Sequence, residues 1–147
     1  MDDDEYLTGN SDDSRSKMFD KNGIMTIYRE ERNGALTEYV PALKLSEMYY
    51  VMAESLLMQG QRTEAISVFN VFLKARGAEL LPEELEADAF LDYMLDDARK
   101  EFAGMGQYVF MCKRMNKRIH FSGGLVPEES LGKYVFPLPV SEEVSNK

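Results

Sequence analysis

The sequence predicts an all-α fold of the helical-repeat kind, with long loops and little or no sheet. Three observations predict it. Residues 43–77, LKLSEMYYVMAESLLMQGQRTEAISVFNVFLKARG, carry apolar residues at three- and four-residue steps on both sides of a polar elbow. Two small residues, Ala53 and Ala65, sit where two such helices would approach closely. A second apolar stripe, made by Phe90, Leu91, Met94, Leu95, Ala98 and Phe102, follows with the same period.

In the first helix, Pro41 is a favourable first-turn residue, so the helix is expected to start near it. Leu45, Met48, Tyr49, Met52, Ala53, Leu56 and Leu57 share one face, which is the expected buried face. Gly60 supplies the stop, in the left-handed conformation glycine tolerates. The second helix is expected from about Thr63 to Lys74, with Ala65, Ile66, Phe69, Phe72 and Leu73 inward and Gly77 at its end. The short elbow makes the two helices antiparallel neighbours. This is the layout of a tetratricopeptide-like helical repeat. Only one good copy is present, whereas stable solenoids stack three or more units. The pair must therefore bury its outer face against something else.

Asp88 is the expected N-cap of a third helix. A fourth is expected from about Gln107 to Met115, with Phe110 and Met111 apolar and a basic end at Lys113, Arg114, Lys117 and Arg118. These cations complement the helix dipole, or alternatively form an anion site. Ahead of the helices, residues 1–40 are expected to be a polar N-terminal loop segment, and residues 41–147 the helical domain. Asp2, Asp3, Asp4, Asp12 and Asp13 suit a solvated tail. Ile24, Met25, Ile27 and Tyr28 suit a short extended piece, and the run Arg29 to Gly34 a loop. From Ile119 onward the pattern is loop-like, with Tyr134, Val135 and Phe136 extended and a capped turn at Ser141 to Val144.

Bulk properties exclude several functions. The 147 residues suit one domain, and 44% hydrophobic content is enough for a core. The net charge of −9, from 26 acids and 17 bases, argues against a broad nucleic-acid-binding face. No apolar run reaches membrane-spanning length, and the N-terminus lacks the order of a signal peptide. That leaves a cytosolic protein or a piece of a longer exported chain. The single cysteine, Cys112, forms no intrachain disulfide and suits a small buried hydrophobe, although Lys113 and Arg114 would favour its thiolate. His120, the single histidine, has no partner at metal-ligand spacing. No catalytic constellation, phosphate loop, cofactor or metal is expected. Glu47 and Glu54 suit helical surface charge, or the flank of a groove. Tyr49, Tyr50, Tyr93 and Tyr108 suit core-edge rings, with a sugar-stacking platform as the alternative.

Three separated motifs add a resemblance. The first is Leu43-Lys44-Leu45-Ser46-Glu47-Met48-Tyr49-Tyr50-Val51-Met52-Ala53-Glu54, continued by Gly60, Glu64-Ala65, Asn70 and Ala75-Arg76-Gly77. The second is Arg99-Lys100-Glu101-Phe102-Ala103 with Gly106-Gln107 and Lys113-Arg114. The third is Val135-Phe136-Pro137-Leu138-Pro139 with Glu142 and Asn146. In this order and spacing they resemble the C-terminal part of the SusD/RagB family of outer-membrane nutrient-binding lipoproteins, over residues 40 to 147. Met105, Tyr108, Met111 and Met115 stand where the family carries Glu, Arg, Asp and an aromatic residue. The resemblance implies a SusD-like C-terminal helical portion of a longer, lipid-anchored protein on the outer cell surface. Such a protein binds a nutrient, with glycan the first expectation, beside a SusC-like TonB-dependent outer-membrane transporter. It implies binding without turnover, a nutrient site drawn largely from outside this segment, and a helical part that scaffolds and contacts the transporter. Specific ligand-binding residues in this chain remain unknown at this level. The alternative is a free-standing helical-repeat adaptor that grips a protein partner.

Overall fold

The computed structural model describes residues 12–18, 29–32, 35–38, 43–121 and 124–125. In chain order these form a 3-10 turn at Ser14–Met18, the strands β1 (Arg29–Arg32) and β2 (Ala35–Glu38), and the helices α1 (Leu45–Met58), α2 (Arg62–Arg76), α3 (Ala87–Glu101) and α4 (Gln107–Arg114). The strands β3 (His120–Phe121) and β4 (Gly124–Leu125) follow. The fold is all-α: among the described residues, strand is confined to two antiparallel two-stranded hairpins, β1–β2 and β3–β4. Two compact units divide the chain, Met1–Ala103 and Gly104–Lys147. The expected extended piece at Ile24 to Tyr28, the helix start at Pro41, the Tyr134 to Phe136 segment and the turn at Ser141 to Val144 lie outside the described residues.

In the first unit, α1 and α2 form the expected hairpin, and both end in the same way. Gly60 (φ +77°) lets the Gln61 N–H reach back to the Leu56 carbonyl at 2.9 Å. Gly77 (φ +73°) lets the Ala78 N–H reach the Leu73 carbonyl at 3.0 Å. Each is a left-handed stop that satisfies carbonyls the helix leaves open. Asn70 then fixes the connection to α3: its amide donates to the Leu81 carbonyl (2.9 Å) and accepts from the Leu81 N–H (2.8 Å). α3 begins after Glu86, without a side-chain cap. Asp88 is thus not the N-cap; it lies in the first turn, where a carboxylate still complements the helix dipole.

The core of this unit is aromatic. Tyr50 stands 5.1 Å from Phe69, 5.3 Å from Phe72 and 5.0 Å from Phe102, and Phe69 meets Phe90 at 5.7 Å, mostly edge to face. Ile66, Leu73, Met94 and Ala98 fill in around them, and Ala53 and Ala65 are both fully buried.

Three further expectations are corrected in this unit. On α1 the buried residues are Ser46, Tyr50 and Ala53; Leu45, Met48 and Met52 face outward. The helix is apolar almost all round, so hydropathy alone did not single out a face. What selects the inner one is the small Ala53 and the polar partner that the Tyr50 hydroxyl finds inside. The N-terminal acids are not all solvated: Asp13, Arg15 and Met18 are buried. Buried charges are tolerated only when paired, and these are. Finally, Arg29–Arg32 is not loop but pairs with Ala35–Glu38, from Arg29 opposite Glu38 to Arg32 opposite Ala35. The two residues between them in sequence are Asn33 and Gly34, the dipeptide most favoured in two-residue hairpin connections.

In the second unit, α4 buries Met111 and Cys112, with Val109 and Phe110 exposed. Its final turn carries Lys113 and Arg114, as expected for a helix C-terminus. The Lys117 N–H closes the end on the Cys112 carbonyl at 2.8 Å.

Candidate functional site

Among the described residues the densest polar constellation is buried, and it begins with two residues one helical turn apart. Asp97 and Glu101 project from the same side of α3, in line with Phe90 and Met94. Both are nearly inaccessible, at 4% and 1%. An unpaired carboxylate there would cost several kcal/mol, so the surrounding sequence must supply cations.

It supplies three. Arg15, from the 3-10 turn, grips Asp97 with two bonds, Nη1 to Oδ2 at 2.8 Å and Nη2 to Oδ1 at 2.7 Å. The same guanidinium bonds Asp13 through Nε and Nη2 (2.9 and 2.7 Å to Oδ1 and Oδ2). Arg76, in the last turn of α2, makes a second fork on Glu101, with Nε to Oε2 at 3.0 Å and Nη2 to Oε1 at 2.6 Å. Lys44, just ahead of α1, lies 3.0 Å from Glu101 Oε1 and also donates to the Glu101 backbone carbonyl at 2.7 Å. Tyr50 completes the set by donating its hydroxyl to Asp97 Oδ2. Three carboxylates thus face three cations, and forked guanidinium–carboxylate pairs fix orientation as well as charge. Arg15 and Arg76 also stand over the Phe72 ring, at 5.8 and 5.4 Å, and Lys44 stands over Phe102 at 5.6 Å.

Local backbone geometry sets this up. Asp13 Oδ1 accepts the Arg15 backbone N–H at 2.9 Å, an Asx-type turn that aims the arginine inward. The turn lies against the end of α2 so closely that a Cβ on Gly77 would fall 2.3 Å from the Asp12 carbonyl oxygen. Gly77 therefore has two duties: its left-handed φ and the close approach of the N-terminal segment.

The electrostatics follow. Burial pushes the Asp13 carboxyl up, but the bonds from Arg15 outweigh it and hold it below its ordinary value. Burial acts the same way on Glu101, and its bonds to Arg76 and the Lys44 charge bring it below its ordinary value. For Arg15, burial opposes the charge and the bonds to Asp13 and Asp97 overcome it, so it stays protonated. The Tyr50 phenol is pushed well up by burial and by the Asp97 charge. Tyr93 is pushed up to about 12, first by burial and then by Asp97.

This arrangement is a fastener that ties the N-terminal turn, the start of α1 and the end of α2 to α3. Each of the six carboxylate oxygens accepts from Arg15, Arg76, Lys44 or Tyr50. Among the described residues no group of His, Cys, Asp and Glu is placed to hold a metal. No helix among them is long and apolar enough to cross a membrane.

Of the residues singled out from sequence, Tyr50 belongs to this network and the others fall elsewhere. Glu47 and Glu54 are half-buried on α1 and Tyr49 and Tyr93 are half-buried on α1 and α3, whereas Tyr50 is buried in the core. Tyr108 is half-buried, and its hydroxyl accepts the His120 backbone N–H at 2.9 Å. Cys112 is buried, Lys113 and Arg114 are exposed, and Lys117 and Arg118 are half-buried. Sequence reading missed Asp13, Arg15 and Asp97. The available signal was Asp97 and Glu101 interrupting an apolar stripe at helical spacing, since a polar residue at a core position is the informative exception. No comparable signal marks Arg15.

No family model matches this chain, no curated protein matches it and no solved structure matches it.

Proposed function

We propose that this chain is the scaffolding C-terminal portion of a SusD/RagB-like nutrient-binding protein of the outer cell surface. In that role it supports capture and hand-over of a glycan or similar nutrient beside a TonB-dependent transporter, with no covalent chemistry. The observation that carries the reading is where the resembling positions go. Lys44 and Tyr50 from the first motif, Arg76 from its continuation and Glu101 from the second belong to one buried network. Asn70 and Gly77, from the same continuation, hold the α2–α3 connection and seat the N-terminal turn. Residues separated along the chain are thus used together, and each is used for architecture. The tetratricopeptide-like description belongs to this reading, and rests on the α1–α2 hairpin with its two buried alanines.

The test is affinity purification of the full-length gene product from membranes, with a glycan array on the purified protein. The reading expects a TonB-dependent transporter to copurify and a glycan class to bind. Neither partner nor ligand would defeat it. The second reading, a free-standing adaptor, is favoured by the apolar outer face of α1. A lipoprotein signal encoded upstream in frame, next to a transporter gene, would decide against the adaptor.

A further inference from the structure

The charges of the buried network divide along one line into two neutral halves. On the N-terminal turn, Asp13 and Arg15 are bonded to each other, through the Arg15 side chain and through its backbone N–H. On the helices, the carboxylates Asp97 and Glu101 are balanced by the cations Lys44 and Arg76. Across the line run the Arg15 fork on Asp97 and a longer approach to Glu101, at 3.9 Å. Opening along this line leaves each carboxylate with a donor. Asp13 keeps Arg15, Glu101 keeps Arg76 and Lys44, and Asp97 keeps the Tyr50 hydroxyl. Breaking a buried ion pair is costly chiefly when it strands a charge in the interior. Here Arg15 leaves for water with its own counter-ion, and water reaches Asp97 in its place.

The aromatic core is built from the helices alone: Tyr50, Phe69, Phe72, Phe90 and Phe102 pack on one another without a ring from the turn. The turn closes on itself through the Ser16 N–H and the Asp13 carbonyl, at 3.0 Å. Its departure gives up the Arg15 contact with Phe72, the burial of Met18 and the close approach of Asp12 to Gly77. Parts of a fold joined in this way open at lower free energy than the whole. We propose that residues 12–18 are a latch: they leave α2 and α3 as a unit while the helices stay folded, and they uncover a socket for a guanidinium group. The socket is the Asp97 carboxylate, which receives two parallel N–H bonds, with the Phe72 ring 5.8 Å below the guanidinium carbon. Closed, the latch fills this socket with Arg15. Open, it leaves a site whose geometry selects the planar fork of an arginine over a simple ammonium. The latch stands or falls apart from the nutrient reading.

The test is amide hydrogen exchange on the full chain across low urea concentrations, with Arg15→Ala beside the unaltered protein. In the unaltered chain the Arg15 and Ser16 amides are expected to exchange roughly tenfold or more faster than those of Phe69 and Phe72, through an opening that urea barely promotes. They are still expected to exchange more slowly than an unstructured chain. Exchange with the same urea dependence as Phe69 and Phe72 overturns the proposal, because the turn would then leave only on global unfolding. Exchange at the unstructured rate overturns it too, because no latch would be closed. In Arg15→Ala the Phe69 and Phe72 amides are expected to stay protected, and their loss of protection is a third contrary result. The socket is probed in the same variant with millimolar methylguanidinium chloride against methylammonium chloride. Methylguanidinium alone is expected to raise the urea midpoint of Arg15→Ala, and to leave the unaltered chain, whose socket is filled, without a gain. Equal effects of the two cations on the variant, or no effect of either, overturn the socket.

Discussion

The two long sides of α1 are both apolar, yet they differ in everything else. The inner side, with Ser46, Tyr50 and Ala53, is sealed by three phenylalanine rings packed on Tyr50 and tied down through Lys44 and Tyr50 to the carboxylates of α3. The outer side, with Leu45, Met48 and Met52, meets no comparable partner among the described residues and is half or more exposed. Hydropathy therefore does not decide which face is buried here. A close approach at a small residue and a polar handle with a charged partner decide it.

The largest expected effect strikes the tie itself. Asp97→Ala leaves Arg15 and the Tyr50 hydroxyl short of a partner in the interior, and should destabilise by about 3–5 kcal/mol in urea unfolding. Gly77→Ala comes next. It places a methyl against the Asp12 carbonyl and strains a left-handed backbone, so a loss of about 1–3 kcal/mol is expected in the same assay. Ala53→Leu overpacks the inner side of α1 and should cost about 1–3 kcal/mol.

The pH dependence sharpens the contrast, because the inner side titrates with the fold. Asp13 and Glu101 are held below their ordinary values in the folded chain. As pH falls, the unfolded chain takes up those protons first, so stability present above the ordinary carboxylate range is lost as pH falls through it and below, between roughly pH 5 and pH 2. Urea midpoints across that range should drop, and the drop should be shallower in Glu101→Gln. At the alkaline end the sign reverses. Tyr50 and Tyr93 are raised, so the unfolded chain ionises first and stability falls as pH rises above about 10.

The architecture was largely legible in the sequence, and the reasons are local. Gly60 and Gly77 announced both helix ends, and the α2 stripe from Ala65 to Leu73 is buried as its spacing implies. The α1 stripe misled because Leu45, Met48 and Met52 satisfy helical spacing as well as the true inner residues do. The fastener was half legible. Asp97 and Glu101 interrupt an apolar stripe visibly, but their partner Arg15 lies 82 positions before Asp97, in a segment whose composition reads as solvent-exposed. Only tertiary pairing turns such an arginine inward.

The smallest expected effect is on the open side. Met52→Glu should change stability by no more than about 0.5 kcal/mol, since the side chain already meets solvent. Its comparison with the tie is the most direct measurement of how the two sides of α1 differ: urea unfolding of Asp97→Ala and Met52→Glu under one set of conditions. A loss of about 3–5 kcal/mol is expected for the first and almost none for the second. Equal losses would contradict that difference, because the two sides of α1 would then be bound into the fold alike.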